Sequence, residues 1–491
     1  MLTTIDAIKQ KATEQLDQSK RSSLGQFMTP AKVAKFIASM FEDVNSNKIH
    51  LLDAGAGVGS LTAAFLERFI HEKGKKNIEV TAYEIDPVLT GYLTENLAYY
   101  KSAFSRAGIS FAAHLITRDF IEDTTSFGNL GFQDNYTHAI LNPPYKKINS
   151  ESLHRIQLRS VGIETVNLYS AFVALSLMLL KDQGELVAII PRSFCNGNYY
   201  KSFRELIIRD AAIKRIHLFD SRNQAFKEDS VLQENIIIHI IKGAKQGKVV
   251  ISRSTDESLN DLTLNTYSYG QIIKPRDPEL FIHIPNVGKN HLENSKSIIY
   301  TLSNLSLEVS TGPVVDFRSK EYLSKEPLEG YVPLIYPTHF NCKEIQWPKE
   351  SKKPNAIARI EETQKMLYPK GFYTIVKRFS SKEEKQRIVA RVINPRKLDF
   401  DYIGIENHLN VFHSGKAGIS EDLAFGLAAF LNSSYVDTHF RSFNGHTQVN
   451  ATDLKQMKYP SRDVLIQLGK WAKELNDFEQ SVLDVRIKKL L

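Results

Sequence analysis

Two periodicities run along this chain. From residue 24 to about 245, short apolar runs of strand length alternate with longer stretches whose apolar residues recur at helical spacing. The strand-like runs are Ile49–Leu52, Ile78–Glu84, His114–Thr117, Ala139–Leu141, Glu185–Ile190, Ile213–Phe219 and Glu234–Ile241. Between them lie a helix ending near Phe41, one from Ser60 to about His71, and a strongly apolar one over Tyr169–Leu180. Strand–helix alternation of this kind predicts an α/β fold, a doubly wound sheet with helices on both faces. Before it, residues 1–23 read as an amphipathic helical arm over Ile5–Leu16. After about 245 the alternation fades. Ser252–Asp261 is polar and reads as a linker or loop, Thr311–Arg318 as a turn plus strand, Leu423–Leu431 as an apolar helix, and Asp463–Leu491 as a charged helix with a basic end. The expected organisation is therefore an arm (1–23), an α/β domain (24–245) and a C-terminal mixed α+β domain (246–491).

Composition narrows the class. A chain of 491 residues, 42% hydrophobic and 24% charged, has room for two or more globular domains. No apolar run reaches the roughly eighteen residues of a membrane span, and no apolar core follows a basic start. Neither a membrane partner nor a signal peptide is expected. Cys195 and Cys342 are the only cysteines and make no framework, which fits a reducing cytoplasm. The 14 histidines show no ligand spacing, so no metal is expected. A net charge of +8 suits a polyanionic partner, although many basic proteins bind none.

The candidate chemistry lies at the strand ends, where open α/β sheets place their ligands. Asn142-Pro143-Pro144-Tyr145 follows the run Ala139–Leu141. The Asn side-chain oxygen and the Pro143 carbonyl are acceptors, the prolines fix the backbone that carries them, and Tyr145 offers a stacking face. Two acceptors on one aromatic amine localise its lone pair and sharpen it as a nucleophile, so position and electrostatics suffice. A proline-rich turn after a strand fits the tetrapeptide alone equally well. Its neighbours shift the balance. Asp53-Ala54-Gly55-Ala56-Gly57-Val58-Gly59 joins a strand to a helix with glycines two apart, a departure from the dinucleotide spacing. The next strand ends in Glu84-Ile85, suited to ribose hydroxyls, and the third leads to Asp119-Phe120. Glycines, an acid and an acid–aromatic pair at successive strand tips describe an adenosine-shaped site.

Together these residues resemble the S-adenosylmethionine-dependent DNA adenine-N6 methyltransferases of bacterial type II restriction–modification systems. Leu24-Gly25-Gln26-Phe27-Met28-Thr29-Pro30 is similar to the segment that family places before its Gly-rich loop, and the order of parts is its γ arrangement, over roughly residues 20–245. The resemblance implies a Rossmann-like methyltransferase sheet followed by a target-recognition domain. It implies S-adenosylmethionine as cofactor, with Gly55 and Gly57 approaching it and Asp53, Thr29 and Pro30 near its methionine end. Glu84 would hold the ribose, Asp119 the adenine amine, and Ile85 and Phe120 would pack on the ring. Asn142 and Pro143, with Pro144 and Tyr145, would hold the target amine of an adenine flipped out of double-stranded DNA. Phe226 would form the second stacking wall opposite Tyr145, or else serve as a core residue at a hairpin end.

In the C-terminal region, Lys377, Arg378 and Lys382 stand among aromatic and hydroxyl residues, a mix that suits phosphate contacts and equally a solvated loop. Ser442–Asn450, with His446, Thr447, Gln448 and Asn450, resembles a segment of PstI-like modification methylases and is rich in amides that pair with adenine edges. No nuclease constellation is present, so any cognate restriction endonuclease is expected on a separate chain. The same turn also serves cytosine-N4, RNA-base and protein-glutamine methylation, and a non-catalytic DNA-binding scaffold is a further alternative.

Overall fold

The computed structural model describes residues 29–42, 47–70, 76–126, 135–220, 234–285, 297–381, 383–398, 400–444 and 447–491. The expected arm at 1–23, Phe226, Lys382 and His446 lie outside the described residues. The chain divides into two compact units, Met1–Ile284 and Pro285–Leu491.

The first unit is built on a nine-stranded sheet: β1 (Lys48–Ala54), β2 (Asn77–Tyr83), β3 (Ser110–Ile116), β4 (Tyr136–Leu141), β5 (Leu180–Pro191), β6 (Ala211–Phe219), β7 (Asn235–Lys242), β8 (Val249–Ser254) and β9 (Thr263–Tyr267). Their spatial order is β3-β2-β1-β4-β5-β7-β6-β8-β9. β3, β2, β1, β4 and β5 run parallel, while β7 lies antiparallel between β5 and β6. This is the expected doubly wound sheet.

Apolar content explains why its centre is buried on both sides. In β5, Leu186, Ala188 and Ile190 pack into one core, and Val187 and Ile189 into another on the opposite face. β7 divides the same way, with Ile236, Ile238 and Ile240 on one face and Ile237 on the other. Near-continuous runs of Ile and Val are what a strand covered on both faces requires. The helix Leu168–Leu179 fills the first core, and the helices Ala31–Ser39 and Ser60–Leu66 fill the second. The strand order reverses between β1 and β4, which opens a crevice at their C-terminal ends.

The first unit continues past 245 to Ile284. Where a polar linker was expected at 252–261, Ser252 and Ser254 belong to β8, which pairs in parallel with β6. The cause is a polar partner inside the sheet. Ser252 Oγ lies 3.0 Å from His217 Nδ1 and accepts from Arg215 Nε at 3.1 Å, and Ser254 Oγ lies 3.3 Å from His217 Nε2. The serines are buried because β6 supplies partners for them.

The second unit holds a six-stranded and a five-stranded sheet. Tyr373–Lys377 and Leu409–His413 pair antiparallel inside the first, and Tyr331–Ile335 pairs in parallel with Tyr402–Ile405 in the second. The expected turn and strand at 311–318 is reversed in order: the strand Glu308–Thr311 comes first and Asp316–Arg318 is a helical turn. The expected single C-terminal helix is two, Arg462–Ala472 and Gln480–Leu490. Glu421–Leu431 is apolar throughout its buried length and lies against Arg462–Ala472. Among the described residues, no helix is long and apolar enough to cross a membrane.

That helix pair depends on two glycines. A Cβ on Gly426 would lie 1.8 Å from the Leu465 carbonyl oxygen, and one on Gly469 would lie 1.6 Å from that of Asp422. Both obstacles are backbone, so neither can rotate away. Gly426→Ala should force the helices apart and destabilise the second unit by about 1–3 kcal/mol, read as a lower unfolding midpoint of the full-length protein in denaturant. An unchanged midpoint would mean that the helices do not cross at this position.

Candidate active site

The crevice at the strand reversal is a cavity of about 440 Å³, within the size range of small-molecule and cofactor sites. Its floor is the turn after β1. Gly55, Gly57 and Gly59 all have positive φ, and the φ of +58° at Gly57 is paired with open space where a Cβ would stand. The turn is tied to the tip of β2. Gly55 N and Ala56 N both donate to the Tyr83 carbonyl at 2.9 Å. Gly57 N donates to Glu84 Oε2 at 2.9 Å, while Glu84 Oε1 accepts from Ile85 N at 2.9 Å and Asp86 N at 2.8 Å. Burial raises the pKa of Glu84, and these three N–H groups oppose the shift. Next to this buried acid, Ile85 stands 51% exposed at the cavity rim.

One wall comes from the segment after β3. Asp119 Oδ1 accepts from Ile121 N at 2.8 Å and Glu122 N at 3.0 Å, and lies 3.4 Å from His154 Nε2. Burial works against the carboxylate, but His154 and the two amides outweigh it and hold its pKa below the ordinary value. The hydrogen bond to Asp119 in turn raises that of His154. Behind Asp119, Phe120 packs its ring 5.0 Å from those of both Tyr83 and Phe172.

The opposite wall is the turn after β4. Asn142 and Pro144 line the cavity, and Pro143 is buried behind them. Asn142 Nδ2 donates to Thr29 Oγ1 at 2.9 Å. The Tyr145 hydroxyl lies 3.1 Å from the Ile189 carbonyl of β5 and 3.3 Å from Asn142 Oδ1, within reach of both acceptors. These bonds give the Asn142 amide a defined orientation. Pro30 precedes the helix Ala31–Ser39, and its carbonyl accepts from Ala34 N at 2.9 Å.

Thr29, Gly55, Gly57, Glu84, Ile85, Asp119, Phe120, Asn142 and Pro144 thus share one cavity. Pro30, Pro143, Tyr145 and Asp53 do not line it. Asp53 is fully buried under the glycine turn, where Oδ2 accepts from Thr62 Oγ1 at 2.6 Å and Oδ1 has no partner among the described residues. Lys377, Arg378, Thr447, Gln448 and Asn450 belong to the second unit. There the two stretches meet: Ser380 N donates to the Thr447 carbonyl, and Val449 N to that of Arg378.

Several cavity residues escaped the sequence reading. Lys146, Asn149, Ser152 and His154 follow the diproline turn, and Leu168 and Phe172 come from the first turns of a helix that the sequence marks only as strongly apolar over Tyr169–Leu180. Backbone pairing places them: Leu168 N donates to the Lys146 carbonyl and Ile148 N to that of Val166, each at 2.8 Å. Their one signal in the sequence is nearness to a strand-end motif.

The chain aligns along its whole length with two curated proteins. It is 50% identical to the type II methyltransferase M.BsuBI of Bacillus subtilis, over 100% of this chain and 98% of that one. It is 43% identical to M.PstI of Providencia stuartii, over 99% and 96%. The chain belongs to the type II methyltransferases. The Eco57I restriction-modification methylase family matches residues 65–226, which supports a methyltransferase of a restriction–modification system. Among solved structures, the type IIL restriction-modification enzyme MmeI in complex with DNA shares the fold, with a TM-score of 0.55 at 12% identity over 90% of this chain and 69% of that one. The DrdV–DNA complex gives 0.51 at 11% identity, over 94% and 58%.

The buried acid beneath the turn yields a test. Burial pushes Asp53 from 3.8 up to about 7, against opposing bonds from the Thr62 hydroxyl and amide. Because the folded-state value is the raised one, the stability this group contributes is full below its unfolded value and is lost as pH climbs through about 7. Asp53→Asn should flatten that fall, which can reach ~1.4 kcal/mol per pH unit. Denaturant titrations from pH 4 to 8, wild type against variant, measure it; parallel curves would show Asp53 to be already ionised.

Proposed function

We propose that this methyltransferase moves a methyl group from S-adenosyl-L-methionine to the N6 amine of adenine in double-stranded DNA, with the base flipped out. It would do so in the cytoplasm, at a specific site that a separate cognate restriction endonuclease cuts when unmodified. The carrying observation is that one cavity joins the Gly55–Gly57 turn, Glu84 and Asp119 to Asn142 of the diproline turn.

The residues fit the cofactor. The open side of Gly57 leaves its backbone accessible, the fixed Glu84 carboxylate suits ribose hydroxyls, and exposed Ile85 with Phe120 suits a flat ring. Asp119 Oδ1 takes both capping amides and its contact with His154, so Oδ2 remains to accept from an exocyclic amine. When bound, the cofactor supplies an electrophilic methyl on a sulfonium. Thr29 and Pro30 border the methionine end, and Asp53 supports the turn from beneath. Asn142 Oδ1 and the Pro143 carbonyl hold the target amine, while Tyr145 offers one stacking wall and Phe226 the second. Attack on the methyl, the first step, needs neither a metal ion nor a general base, because the amine's lone pair is localised by its two acceptors, and the methylated nitrogen then releases its extra proton to water.

Incubating the protein with labelled cofactor and mixed genomic DNA, then digesting to nucleosides, tests the reading by mass spectrometry. N6-methyladenine is expected. N4-methylcytosine would reassign the base, and no transfer would overturn the reading.

The roles of the two walls separate in the kinetics. Asn142→Ala should lower kcat by on the order of 10²–10³-fold, as for loss of one preorganised hydrogen-bonding group, with cofactor affinity kept within about twofold. Glu84→Ala should weaken cofactor binding first. Calorimetric titration of the cofactor beside steady-state assays distinguishes them, and equal loss of affinity in both variants would show that Asn142 serves the cofactor instead.

A further inference from the structure

The second unit carries a cleft of about 180 Å³ walled by Tyr336, Lys353, Lys377, Phe379, Glu406 and His408. Its centre is an orientation device. The Glu406 side chain is fully buried, yet both its oxygens are taken by one residue: Oε2 accepts from His408 N at 2.9 Å, and Oε1 is hydrogen-bonded to His408 Nδ1. A carboxylate only accepts, so Nδ1 carries the proton and Nε2 is the ring's free polar edge. Phe379 flanks the imidazole with ring centroids 5.0 Å apart and planes inclined by 39°. Burying a carboxylate is unfavourable without partners, and here it holds one half-exposed imidazole in a single pose.

The surroundings are basic and aromatic. Phe317 is 77% exposed, with the Arg318 guanidinium 5.4 Å from its ring centre. The preceding Asp316 anchors this turn to the cleft wall by accepting from the Tyr336 hydroxyl at 2.8 Å and Lys353 Nζ at 2.7 Å. Lys377 pairs with Glu384 at 3.3 Å. Part-exposed pairs of this kind contribute little, so exchanging either acid for a phosphate oxygen costs little.

We propose that this cleft is a base-reading site of the protein: His408 presents Nε2 to a base edge of duplex DNA, while Lys353, Lys377 and Phe317 contact the flanking backbone. Direct readout pairs a side-chain donor or acceptor with the pattern on a base edge, and the Glu406–Phe379 cage sets the ring's direction before a base arrives, which lowers the cost of binding. The inference rests on the duplex-DNA reading above and adds which residues discriminate sequence.

The test uses the full-length protein and His408→Ala, with methylation-aware sequencing of DNA from expressing hosts and cofactor titration in vitro. The expected result is a drop of about ten- to a hundredfold in methylation of the wild-type site, with relaxed discrimination at one base position and unchanged cofactor affinity. Should His408→Ala fail to fold, His408→Asn, which keeps a donor for Glu406 but withdraws the Nε2 edge, carries the same expectation. A His408 variant that folds and methylates the same sites at the wild-type rate overturns the assignment while leaving the activity intact. A wild-type protein that methylates no DNA overturns both readings together.

Discussion

The site depends on the lock between the glycine turn and the tip of β2. Two turn amides converge on one carbonyl, that of Tyr83, and a third reaches Glu84 Oε2. The backbone can bend this sharply only through residues at positive φ, and each of the three glycines meets that demand. The lock also makes a buried acid tenable. Glu84 would be penalised in an apolar crevice, but three N–H donors surround it. Charge-assisted bonds from fixed backbone leave the carboxylate little freedom to relax, so its remaining lone pairs face the cavity in a set direction.

The opposite wall follows the same logic with side chains. Asn142 sits at the end of a strand, and a strand end alone would leave its amide free to turn over. Thr29, just before a helix packed on the other core, holds one end, and Tyr145, anchored to the carbonyl of Ile189, stands at the other. The parallel strands β4 and β5 and the helix Ala31–Ser39 therefore act together on one amide. The cores beneath are nearly all Ile, Leu, Val, Ala and Phe, so the polar groups of the site rest on a closely packed base that resists displacement.

Much of this was legible in the sequence because strand-end chemistry comes in consecutive residues. Asp53 to Gly59, Glu84-Ile85, Asp119-Phe120 and Asn142 to Tyr145 each combine a strand tip with residues that line or support the cavity. What stayed hidden depends on partners far away in the chain. His154 matters because the fold brings it beside Asp119, 35 positions earlier, and the two helix residues Leu168 and Phe172 because two backbone bonds pull their turn against Lys146 and Ile148. β8 was misread for a related reason. Its serines look solvated until His217 and Arg215, buried in the neighbouring strand, supply their partners. A polar strand cannot be told from a loop by periodicity when the polar groups satisfy one another inside the sheet.

The C-terminal amide-rich stretch shows how partners distant in the chain fix a polar loop. Asn444 is buried. Its Oδ1 accepts from Arg387 Nη2 at 2.9 Å, and its Nδ2 donates to Asp453 Oδ2 and the Gln448 carbonyl, each at 3.0 Å. Arg387, itself 1% exposed, also bonds Ser380 Oγ at 3.1 Å and lies over the Phe440 ring. Asn450 N donates to Asp453 at 2.9 Å in the cap of the helix Ala451–Gln456. A buried guanidinium stripped of a partner is strongly destabilising, so the Asn444 amide is committed to Arg387 and to the loop. Thr447 and Gln448 remain accessible, and main-chain bonds fasten them beside Arg378 and Phe379. Asn444, Thr447 and Gln448 thus brace the segment after Tyr373–Lys377 that carries Phe379, and the ring they support lies against His408.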